Sequence, residues 1–376
     1  MGTATLPAYE LFVGAGDFWK RAQVDVAAAK RRVLIQAMTF EADAAGRSVA
    51  GAVEAAAAAD RRILVDDYSR NVINDTMLPL PFRPEAVKRE AADTLAMFTH
   101  LARDTPVGVR ITNPVLGHPL RYPLRNHKKL LVMDDAAWIG GINFSDHNFA
   151  WHDLMLRIED AAVADWLAQD FGRDWDGRPH AASQRFGDME LISFDGDRDR
   201  NARFFAPLLD RVRCAKRSVE MISAYPTMPF VAALAAAARG GAEATIYSPA
   251  GSNKPVVRDY LAAVAEPAGV RLRLMPGMTH AKALLIDGET LLLGSSNFNF
   301  ASYRTSSDYV AVIENAGLTG DFVARLLEPA RREARPASDL RIPAWRKLRG
   351  RIALEAADAA LARVRHGPVR AIPWPV

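Results

Sequence analysis

Two short patterns along the chain combine residue types that can carry out phosphoryl chemistry. Each consists of a histidine, a lysine two positions later, an aspartate five positions after the lysine, and a glycine corner that ends in an asparagine. The first copy contains His127, Lys129, Asp134, Gly140, Gly141 and Asn143, and the second contains His280, Lys282, Asp287, Gly294, Ser295 and Asn297. Side chains two apart on a strand point to the same face, so each His–Lys pair is expected on one face of a predicted strand. The histidine, lysine, aspartate and asparagine of both copies are the candidate catalytic residues.

These residue types suit the cleavage of a phosphodiester. A neutral imidazole can attack phosphorus, and a second, protonated imidazole can donate to the leaving oxygen and then deprotonate the incoming alcohol or water. Positive charge and hydrogen-bond donors stabilise the negative charge on the non-bridging oxygens in the transition state. The expected phosphate contacts are Lys129, Lys282, Asn143, Asn297 and Ser295. No metal ion or other cofactor is expected, because the two lysines already supply positive charge.

A carboxylate on the second ring nitrogen would fix the tautomer of each histidine and support its cationic form. Asp153 follows His127 along the chain, and Asp308 follows His280 at a similar spacing. These two aspartates are therefore the candidates for orienting the histidines, each expected beside the histidine that precedes it.

The elements that must position these residues occur twice along the chain. Residues 29–35 are echoed by residues 215–221, and both copies consist of a helix end followed by an apolar strand. An alanine-rich helix and further strands follow in each copy, and residues 129–133 correspond to residues 282–286. Strands that alternate with helices form mixed or parallel sheets covered by helices. The sequence therefore predicts a duplicated α/β protein.

The predicted domains are a first half at residues 1–175, a second half at residues 189–330 and a basic helical tail at residues 331–376. The first half carries an insertion at about residues 67–120, which contains a predicted helix at residues 85–104. The tail has eleven Arg or Lys residues against four acids, a charge of +7 that leaves −3 for the rest of the chain. This distribution excludes a general positive coat for nucleic acid and places the attraction for anions at the C-terminal end.

Composition agrees with a soluble globular protein. The chain has 376 residues, of which 49% are hydrophobic and 24% charged. Cys214 is the single cysteine, so no internal disulfide can form. No apolar window is long enough to span a bilayer, and the first residues lack the basic and apolar pattern of a signal peptide. These features predict a cytoplasmic protein.

At the two patterns the sequence resembles the phospholipase D superfamily, whose signature is H-x-K-x4-D followed by G-S-x-N or G-G-x-N. The resemblance covers about residues 18–330. It implies two similar mixed-sheet α/β halves packed face to face with pseudo-two-fold symmetry, with one active site at their interface. It also implies a phosphohistidine intermediate, with His127 as the nucleophile and His280 as the acid and base, although the near symmetry leaves the opposite order open.

Within that superfamily the chain is most similar to bacterial cardiolipin synthases and related phosphatidyltransferases. The similarity lies in residues 40–43 with Gly46, in residues 140–143 and in residues 151–158. It implies transfer of a phosphatidyl group from one glycerophospholipid to an alcohol. Several cardiolipin synthases begin with membrane-spanning helices and this sequence shows none, so peripheral association with an anionic inner-membrane surface is expected.

Three other functions stay open. Water as the acceptor would make the protein a phospholipase D that releases phosphatidic acid. A nuclease would need a basic groove with stacking aromatic residues, which the charge of −3 outside the tail disfavours, so no nucleic acid partner is expected. A non-catalytic lipid-binding module is disfavoured because both copies keep their histidine, lysine and asparagine. The sequence does not indicate an oligomeric state.

Two segments are candidates for contact with lipid. Residues 77–82 form an apolar run within the insertion. The tail combines aromatic and basic residues in a mixture that suits anionic headgroups, namely Trp345, Trp374, Arg341, Arg346, Lys347, Arg349 and Arg351.

Overall fold

The computed structural model describes residues 6–77, 84–115, 121–364 and 371–375. The described chain divides into two compact units, each named here after its motif histidine. The His127 unit takes residues 7–150 and 155–180 and the C-terminal segment from residue 371, and the His280 unit takes residues 151–154 and 181–364. Among the described residues, no helix has both the length and the apolar character needed to cross a bilayer.

The His127 unit contains an eight-stranded mixed sheet with helices packed on it, and three further short strands outside that sheet. Its strands are β1 (Ala8–Val13), β2 (Arg32–Ala37), β3 (Asp60–Asp66), β4 (Val72–Ile73), β5 (Thr76–Met77), β6 (Gly108–Thr112), β7 (Arg125–Asn126), β8 (Leu130–Met133), β9 (Ala136–Gly140), β10 (Leu154–Glu159) and β21 (Ala371–Pro373). Its helices are α1 (Ala15–Ala28), α2 (Ala44–Ala55), α3 (Tyr68–Asn71), α4 (Glu85–Asp104), α5 (Asp146–Phe149) and α6 (Ala161–Trp175). The helix predicted within the insertion is confirmed as α4.

The strand order of this sheet is β1-β10-β9-β8-β2-β3-β6-β21. β2, β3 and β6 run parallel to one another, whereas β8, β9 and β10 join as antiparallel neighbours. The apolar runs that predicted strands become central strands because both of their faces are covered. Val33, Ile35, Ile63 and Leu131 are fully buried in the resulting core.

The His280 unit is built on the same plan. Its strands are β11 (Ala182–Phe186), β12 (Met189–Ser193), β13 (Ser218–Ile222), β14 (Glu243–Pro249), β15 (Arg271–Met275), β16 (Ala283–Ile286), β17 (Thr290–Gly294), β18 (Ser306–Ser307), β19 (Tyr309–Ile313) and β20 (Arg335–Pro336). Its helices are α7 (Arg198–Arg213), α8 (Phe230–Arg239), α9 (Pro255–Val264), α10 (Phe300–Arg304), α11 (Ala316–Phe322), α12 (Glu328–Glu333) and α13 (Ala344–Leu361).

The strand order of the second sheet is β11-β12-β19-β17-β16-β13-β14-β15-β20. Six neighbouring strands of this sheet, β19-β17-β16-β13-β14-β15, correspond to β10-β9-β8-β2-β3-β6 of the first sheet. The two sets have the same order and the same strand directions. The predicted duplication of a mixed α/β fold is therefore confirmed, and the two sheets differ only in the strands added at their edges.

The tail contains one long helix, α13, which packs closely on α9. A Cβ atom added to Gly350 would lie 2.9 Å from the backbone nitrogen of Tyr260 and 3.1 Å from the carbonyl oxygen of Val256. Arg346 donates to Asp259 on α9 at 2.9 and 3.2 Å, which fixes the same crossing through an ion pair with a fully buried carboxylate. Glycine is thus needed at residue 350 for the two backbones to approach.

The structure separates the two tryptophans that the sequence grouped together in the tail. Trp374 is only 2% exposed in the His127 unit, where its ring lies 4.7 Å from that of Phe98. Trp345 on α13 is 61% exposed. The expectation of a lipid contact at Trp374 is therefore wrong, because that side chain is part of a core. Of the apolar run at residues 77–82, only Met77 lies within the described residues, and it is exposed.

Residues 151–154 belong to the His280 unit, although the residues on both sides of them belong to the His127 unit. The backbone nitrogen of His152 donates to the carbonyl of Met278 at 3.0 Å, and the backbone nitrogen of His280 donates to the carbonyl of His152 at 2.8 Å. This short pairing places Asp153 directly beside His280.

Candidate active site

His280 and Lys282 lie immediately before β16 and are almost completely buried. His280 is 5% exposed and Lys282 is fully buried. The imidazole is flanked by two aromatic rings, those of Trp151 at 5.1 Å and Tyr225 at 5.8 Å between ring centroids. The site is thus a buried polar group flanked by aromatic rings, in which charge interactions are stronger than in water.

Asp153 is the carboxylate that orients His280. Its Oδ2 lies 2.7 Å from Nδ1 of His280 and 3.7 Å from Nζ of Lys282. Burial alone would raise the pKa of Asp153, but the charges of Lys282 and His280 and the hydrogen bond from His280 lower it to about 2. Asp153 is therefore ionised throughout the physiological pH range.

The neighbours of Nδ1 determine the tautomer of His280. Nζ of Lys282 lies 2.8 Å from Nδ1, but an ammonium only donates hydrogen bonds and an ionised carboxylate only accepts them. The proton on Nδ1 is therefore donated to Asp153, and Lys282 donates to the backbone carbonyl of His280 instead. This tautomer leaves the lone pair on Nε2, which becomes the nitrogen available to a substrate.

Burial lowers the pKa of Lys282 to about 8, while the charges of Asp153 and Asp308 oppose that shift. The charge of a third basic residue, Lys254, adds to the lowering. The lowered pKa means that the buried site disfavours the charged ammonium as long as no anion is bound beside it. A bound phosphate group would supply that anion.

The pairing expected from sequence order is wrong for His280. Asp153 was expected beside His127, the motif histidine that precedes it in the sequence, but its carboxylate lies against His280. The physical reason is the short backbone pairing of His152 with the segment from Met278 to His280, which binds residues 151–154 into the His280 unit. Asp308, in turn, accepts a 2.7 Å hydrogen bond from the hydroxyl of Ser295.

The His127 unit repeats the relation between histidine and lysine. His127 is 8% exposed and Lys129 is fully buried, and Nζ of Lys129 donates to the carbonyl of His127 at 2.8 Å. The corresponding Lys282 donates to the carbonyl of His280. Each lysine therefore donates to the backbone carbonyl of its own histidine.

A buried ion-pair network supports the segment between β7 and β8 that carries His127. Nζ of Lys128 lies 2.6 Å from Asp170 and 3.1 Å from Asp174. Burial would lower the pKa of Lys128, but the two carboxylates raise it above its usual value. Sequence analysis missed this network because the three residues share no motif.

Asp134 and Asp287, which were counted as catalytic, have structural roles instead. Each lies at the far end of its strand from the His–Lys pair, in the turn to the next strand, with a positive φ of 48° and 54° respectively. Three backbone nitrogens donate to each carboxylate: those of Lys30, Arg31 and Arg32 to Asp134, and those of Lys216, Arg217 and Ser218 to Asp287. These aspartates fasten β8 to β2 and β16 to β13. Their carboxylates are used in that bracing, at the end of each strand away from its histidine.

Ser295, which was expected to contact phosphate, is also committed elsewhere. Its hydroxyl donates to Asp308 and accepts from the backbone nitrogen of Tyr309 at 2.9 Å, and the residue is fully buried. A side chain on Gly294 would collide with the carbonyl of Tyr309, so glycine is required for β17 to pass β19. This turn of the motif positions Asp308, and the serine hydroxyl has no further proton to donate to a phosphate.

The two motif asparagines differ in their surroundings. Asn143 accepts from the backbone nitrogen of Thr39 at 3.2 Å and donates to Asn148 at 3.4 Å, so its amide is part of the local fold. Oδ1 of Asn297 is buried and has no hydrogen-bond partner within the part of the chain that the structure describes. A buried polar atom without a partner is uncommon in folded proteins, and strain, a catalytic role or a bound water or ion can account for it.

The surroundings of His280 include residues that the sequence did not single out. Nζ of Lys254 lies 4.6 Å from the ring centroid of Tyr225, and the Tyr225 hydroxyl donates to Asn253 at 2.5 Å. Tyr225 and Lys254 thus bring an aromatic wall and a third cation to this site. No motif predicts them, because both lie well upstream of His280 in the sequence and meet it only through the fold.

Comparison with known families agrees with the duplicated site. A family model described as "Cardiolipin synthase, PLD-like domain" matches residues 25–175 and 208–328, which include both histidine motifs. Cardiolipin synthase 1 of Staphylococcus epidermidis is 24% identical over 335 residues, which cover 81% of this chain and 64% of that protein. A cardiolipin synthase of Geobacillus sp. is 27% identical over 251 residues, which cover 59% of this chain and 49% of that protein. The chain thus spans less than two thirds of the length of these relatives.

A solved structure shares the fold over the whole chain. Phosphatidylserine synthase of Haemophilus influenzae aligns with a TM-score of 0.69, covering 96% of this chain and 97% of that chain, at 13% sequence identity. At this identity the likeness establishes the fold.

Proposed function

Because the chain belongs to the "Cardiolipin synthase, PLD-like domain" family, we propose that it transfers phosphatidyl groups between glycerophospholipids through a phosphohistidine intermediate. The observation that carries the proposal is the buried group of His280, Asp153 and Lys282, in which one imidazole nitrogen is held and the other is left for a substrate. The repeated His127–Lys129 pair supplies a second imidazole of the same kind.

In the first proposed step, Nε2 of His127 attacks the phosphorus of a phospholipid. The bond from phosphorus to the headgroup oxygen breaks, and protonated His280 gives its Nε2 proton to that oxygen, so the headgroup leaves as a neutral alcohol. Asp153 stabilises the imidazolium of His280 before the proton is given up. The ammonium groups of Lys129 and Lys282 stabilise the charge on the non-bridging oxygens.

In the second step the acceptor alcohol loses its proton to Nε2 of His280, and its oxygen attacks the phosphohistidine. The bond from phosphorus to nitrogen breaks and His127 is regenerated. With phosphatidylglycerol as both donor and acceptor, the products are cardiolipin and glycerol. Near symmetry of the motifs allows the two histidines to exchange roles without changing the balance of the reaction.

Transfer is favoured over hydrolysis by the enclosure of the site. The 5% exposure of His280 and its two aromatic neighbours limit the access of bulk water, which competes with an alcohol for the intermediate. A lipid substrate also requires contact with a membrane surface, and the concentration of basic residues in the C-terminal tail suits an anionic one. We therefore propose peripheral attachment to anionic membranes.

The proposal is tested by incubating the protein with phosphatidylglycerol vesicles in the presence of EDTA and identifying the lipids by mass spectrometry. Cardiolipin and released glycerol are the expected products, and His280→Ala and His127→Ala variants serve as controls for contaminating activity. Phosphatidic acid alone would assign the protein to the hydrolases instead. An unchanged lipid pool, also with other donor lipids, would overturn the proposal. Single-stranded DNA would then be the next substrate to test, for nuclease activity.

A further inference from the structure

We infer that the outward face of α13 is a membrane-binding surface that inserts Trp345, Leu348 and Ile352 into an anionic lipid bilayer. The inference rests on the proposed function, since a lipid enzyme must meet a bilayer, and it names the surface that does so. We call these three residues the apolar stripe.

The position of the apolar stripe follows from the packing of the helix. Gly350 faces α9, and the faces of a helix repeat every 3.6 residues, so residues 345, 348 and 352 lie on the opposite side. Their exposed fractions are 61%, 59% and 58%, which leaves most of each large side chain in water. Since Arg346 and Asp358 tie the inner face to the His280 unit through ion pairs, the stripe cannot turn inward without breaking them.

The apolar stripe is unusual on the described surface. Nine large hydrophobic side chains are exposed there, and four of them, Leu340 and the three residues of the stripe, fall within the short segment that ends at Ile352. The other five are spread over the rest of the described chain, where single exposed hydrophobic residues need no explanation. A concentrated apolar face on a helix indicates a partner that buries it.

The charges beside the stripe identify that partner as an anionic bilayer. Five basic residues and no acidic ones lie between Leu340 and Leu354. Two of them form ion pairs within the chain, Arg346 with Asp259 at 2.9 Å and Arg351 with Glu355 at 2.8 Å. Arg349 lies 3.9 Å from Asp259, and its guanidinium is 5.2 Å from the ring centroid of Trp345. An apolar face flanked by Arg and Lys, with a tryptophan at one end, is the arrangement of helices that lie in the headgroup region.

A second copy of the chain fits this surface less well. In a twofold dimer the same patch meets itself, so the basic residues beside one stripe would face those beside the other. Like charges placed together in this way oppose association. Anionic headgroups remove that conflict, because they neutralise the basic residues while the stripe enters the apolar region below.

The helix α13 is also linked to the surroundings of His280 through α9. The residue before α9 is Lys254, whose Nζ lies 4.6 Å from the Tyr225 ring, and that ring lies 5.8 Å from the imidazole of His280. Gly350 of α13 packs on Val256, two residues further along. The helix that would touch the membrane is thus packed on the helix that follows Lys254, the residue in contact with the Tyr225 ring.

The test uses sedimentation with vesicles of phosphatidylglycerol and phosphatidylcholine, compared with vesicles of phosphatidylcholine alone. The variant W345Q/L348Q/I352Q is expected to bind mixed vesicles at least tenfold more weakly than the unaltered chain, with an unchanged melting temperature. The matched control is V24Q/L95Q, which changes two exposed apolar residues on α1 and α4 and should bind as the unaltered chain does.

A second variant tests the charges. K347Q/R349Q/R351Q keeps the apolar stripe and is expected to weaken binding to mixed vesicles and to reduce its dependence on salt. Equal binding of the unaltered chain to vesicles of phosphatidylcholine alone would contradict the requirement for anionic lipid.

Turnover separates this inference from the proposed function. On a dispersed short-chain phosphatidylglycerol, the stripe variant should keep the activity of the unaltered chain, whereas on vesicles it should lose activity with binding. Unchanged vesicle binding by the stripe variant would overturn the inference. A dimer of the unaltered chain that the stripe variant cannot form, seen by sedimentation velocity without lipid, would also overturn it and assign the surface to a second copy. Vesicle binding through the stripe without turnover on either substrate would overturn the proposed function and leave the membrane-binding inference standing.

Discussion

The carboxylate of Asp153 lies 2.7 Å from Nδ1 of His280, although 127 residues separate the two along the chain. The contact fixes which nitrogen carries the proton and therefore which nitrogen meets the substrate. It also places an ionised carboxylate, a buried ammonium and an imidazole within one hydrogen-bonded group, which is the arrangement expected for repeated proton exchange at Nε2.

Asp153→Asn should lower kcat by about 10²–10⁴, because the neutral amide neither selects the tautomer nor stabilises the imidazolium. Steady-state kinetics on phosphatidylglycerol would measure the loss. Asp287→Asn is the matched control, since its carboxylate braces β16 against the backbone of residues 216–218. That control should lose stability, by about 1–3 kcal/mol, and keep most of its kcat. Equal loss of kcat in both variants with unchanged melting would argue against the distinction.

His127→Ala and His280→Ala should each abolish turnover, because attack and proton exchange need different imidazoles. Circular dichroism should show that both variants remain folded. Rapid acid quenching is unsuitable for a phosphohistidine, so the intermediate is best sought by digestion at alkaline pH and mass spectrometry. A phosphatidyl adduct on the peptide containing His127 is expected. An adduct on the peptide containing His280 would reverse the roles, and substantial turnover by either variant would refute the two-histidine mechanism.

Activity should fall as the pH rises through about 8, where Lys282 loses its proton in the protein without bound phosphate. Burial lowers this pKa, so the charged form is present below it and the stabilisation of phosphate charge is lost above it. The alkaline limb of kcat/KM reports the unliganded protein, whereas bound phosphate should move the corresponding limb of kcat to higher pH. Lys282→Arg keeps its charge and should lose this limb even if its maximal rate is lower. An unchanged limb in that variant would assign it to another group.

Gly350→Ala should destabilise the protein by about 1–3 kcal/mol, because the new methyl group meets backbone atoms of α9 rather than flexible side chains. Gly51→Ala, at an exposed position of α2 with open space around it, is the matched control and should raise stability by about 0.5–1 kcal/mol. Chemical denaturation of both variants would measure the difference. Equal stability would show that α13 does not need its close approach to α9.

Much of the fold could be predicted from the sequence, because it occurs twice. The repeat of residues 29–35 at 215–221 marks the central parallel strands, and the repeated His-x-Lys spacing places both side chains on one face. These signals are local, so periodicity and motif spacing are enough to find them. The same motifs could not distinguish catalytic from structural aspartates, since Asp134 and Asp287 keep their spacing while their carboxylates bind backbone nitrogens.

Other features depend on contacts between distant segments. Nothing local to Asp153 indicates that it belongs beside His280, because that contact depends on the pairing of His152 with Met278. Trp345 and Trp374 are the same residue type in the same basic tail, yet one is exposed on α13 and the other is covered by Phe98. Whether such a side chain is buried depends on which distant segment packs against it, and the spacing of residues along the sequence does not show that.

The assignment of residues 151–154 to the His280 unit limits how the protein can be dissected. A fragment that starts at residue 181, where the His280 unit resumes, would contain His280 and Lys282 but lack Asp153, and the complementary fragment would carry Asp153 without His280. Neither fragment would contain the complete group of Asp153, His280 and Lys282, even if its own sheet folds. The two sheets repeat one plan, but the group at His280 is completed by Asp153 from the first half of the sequence, so variants of either half should be made in the full chain.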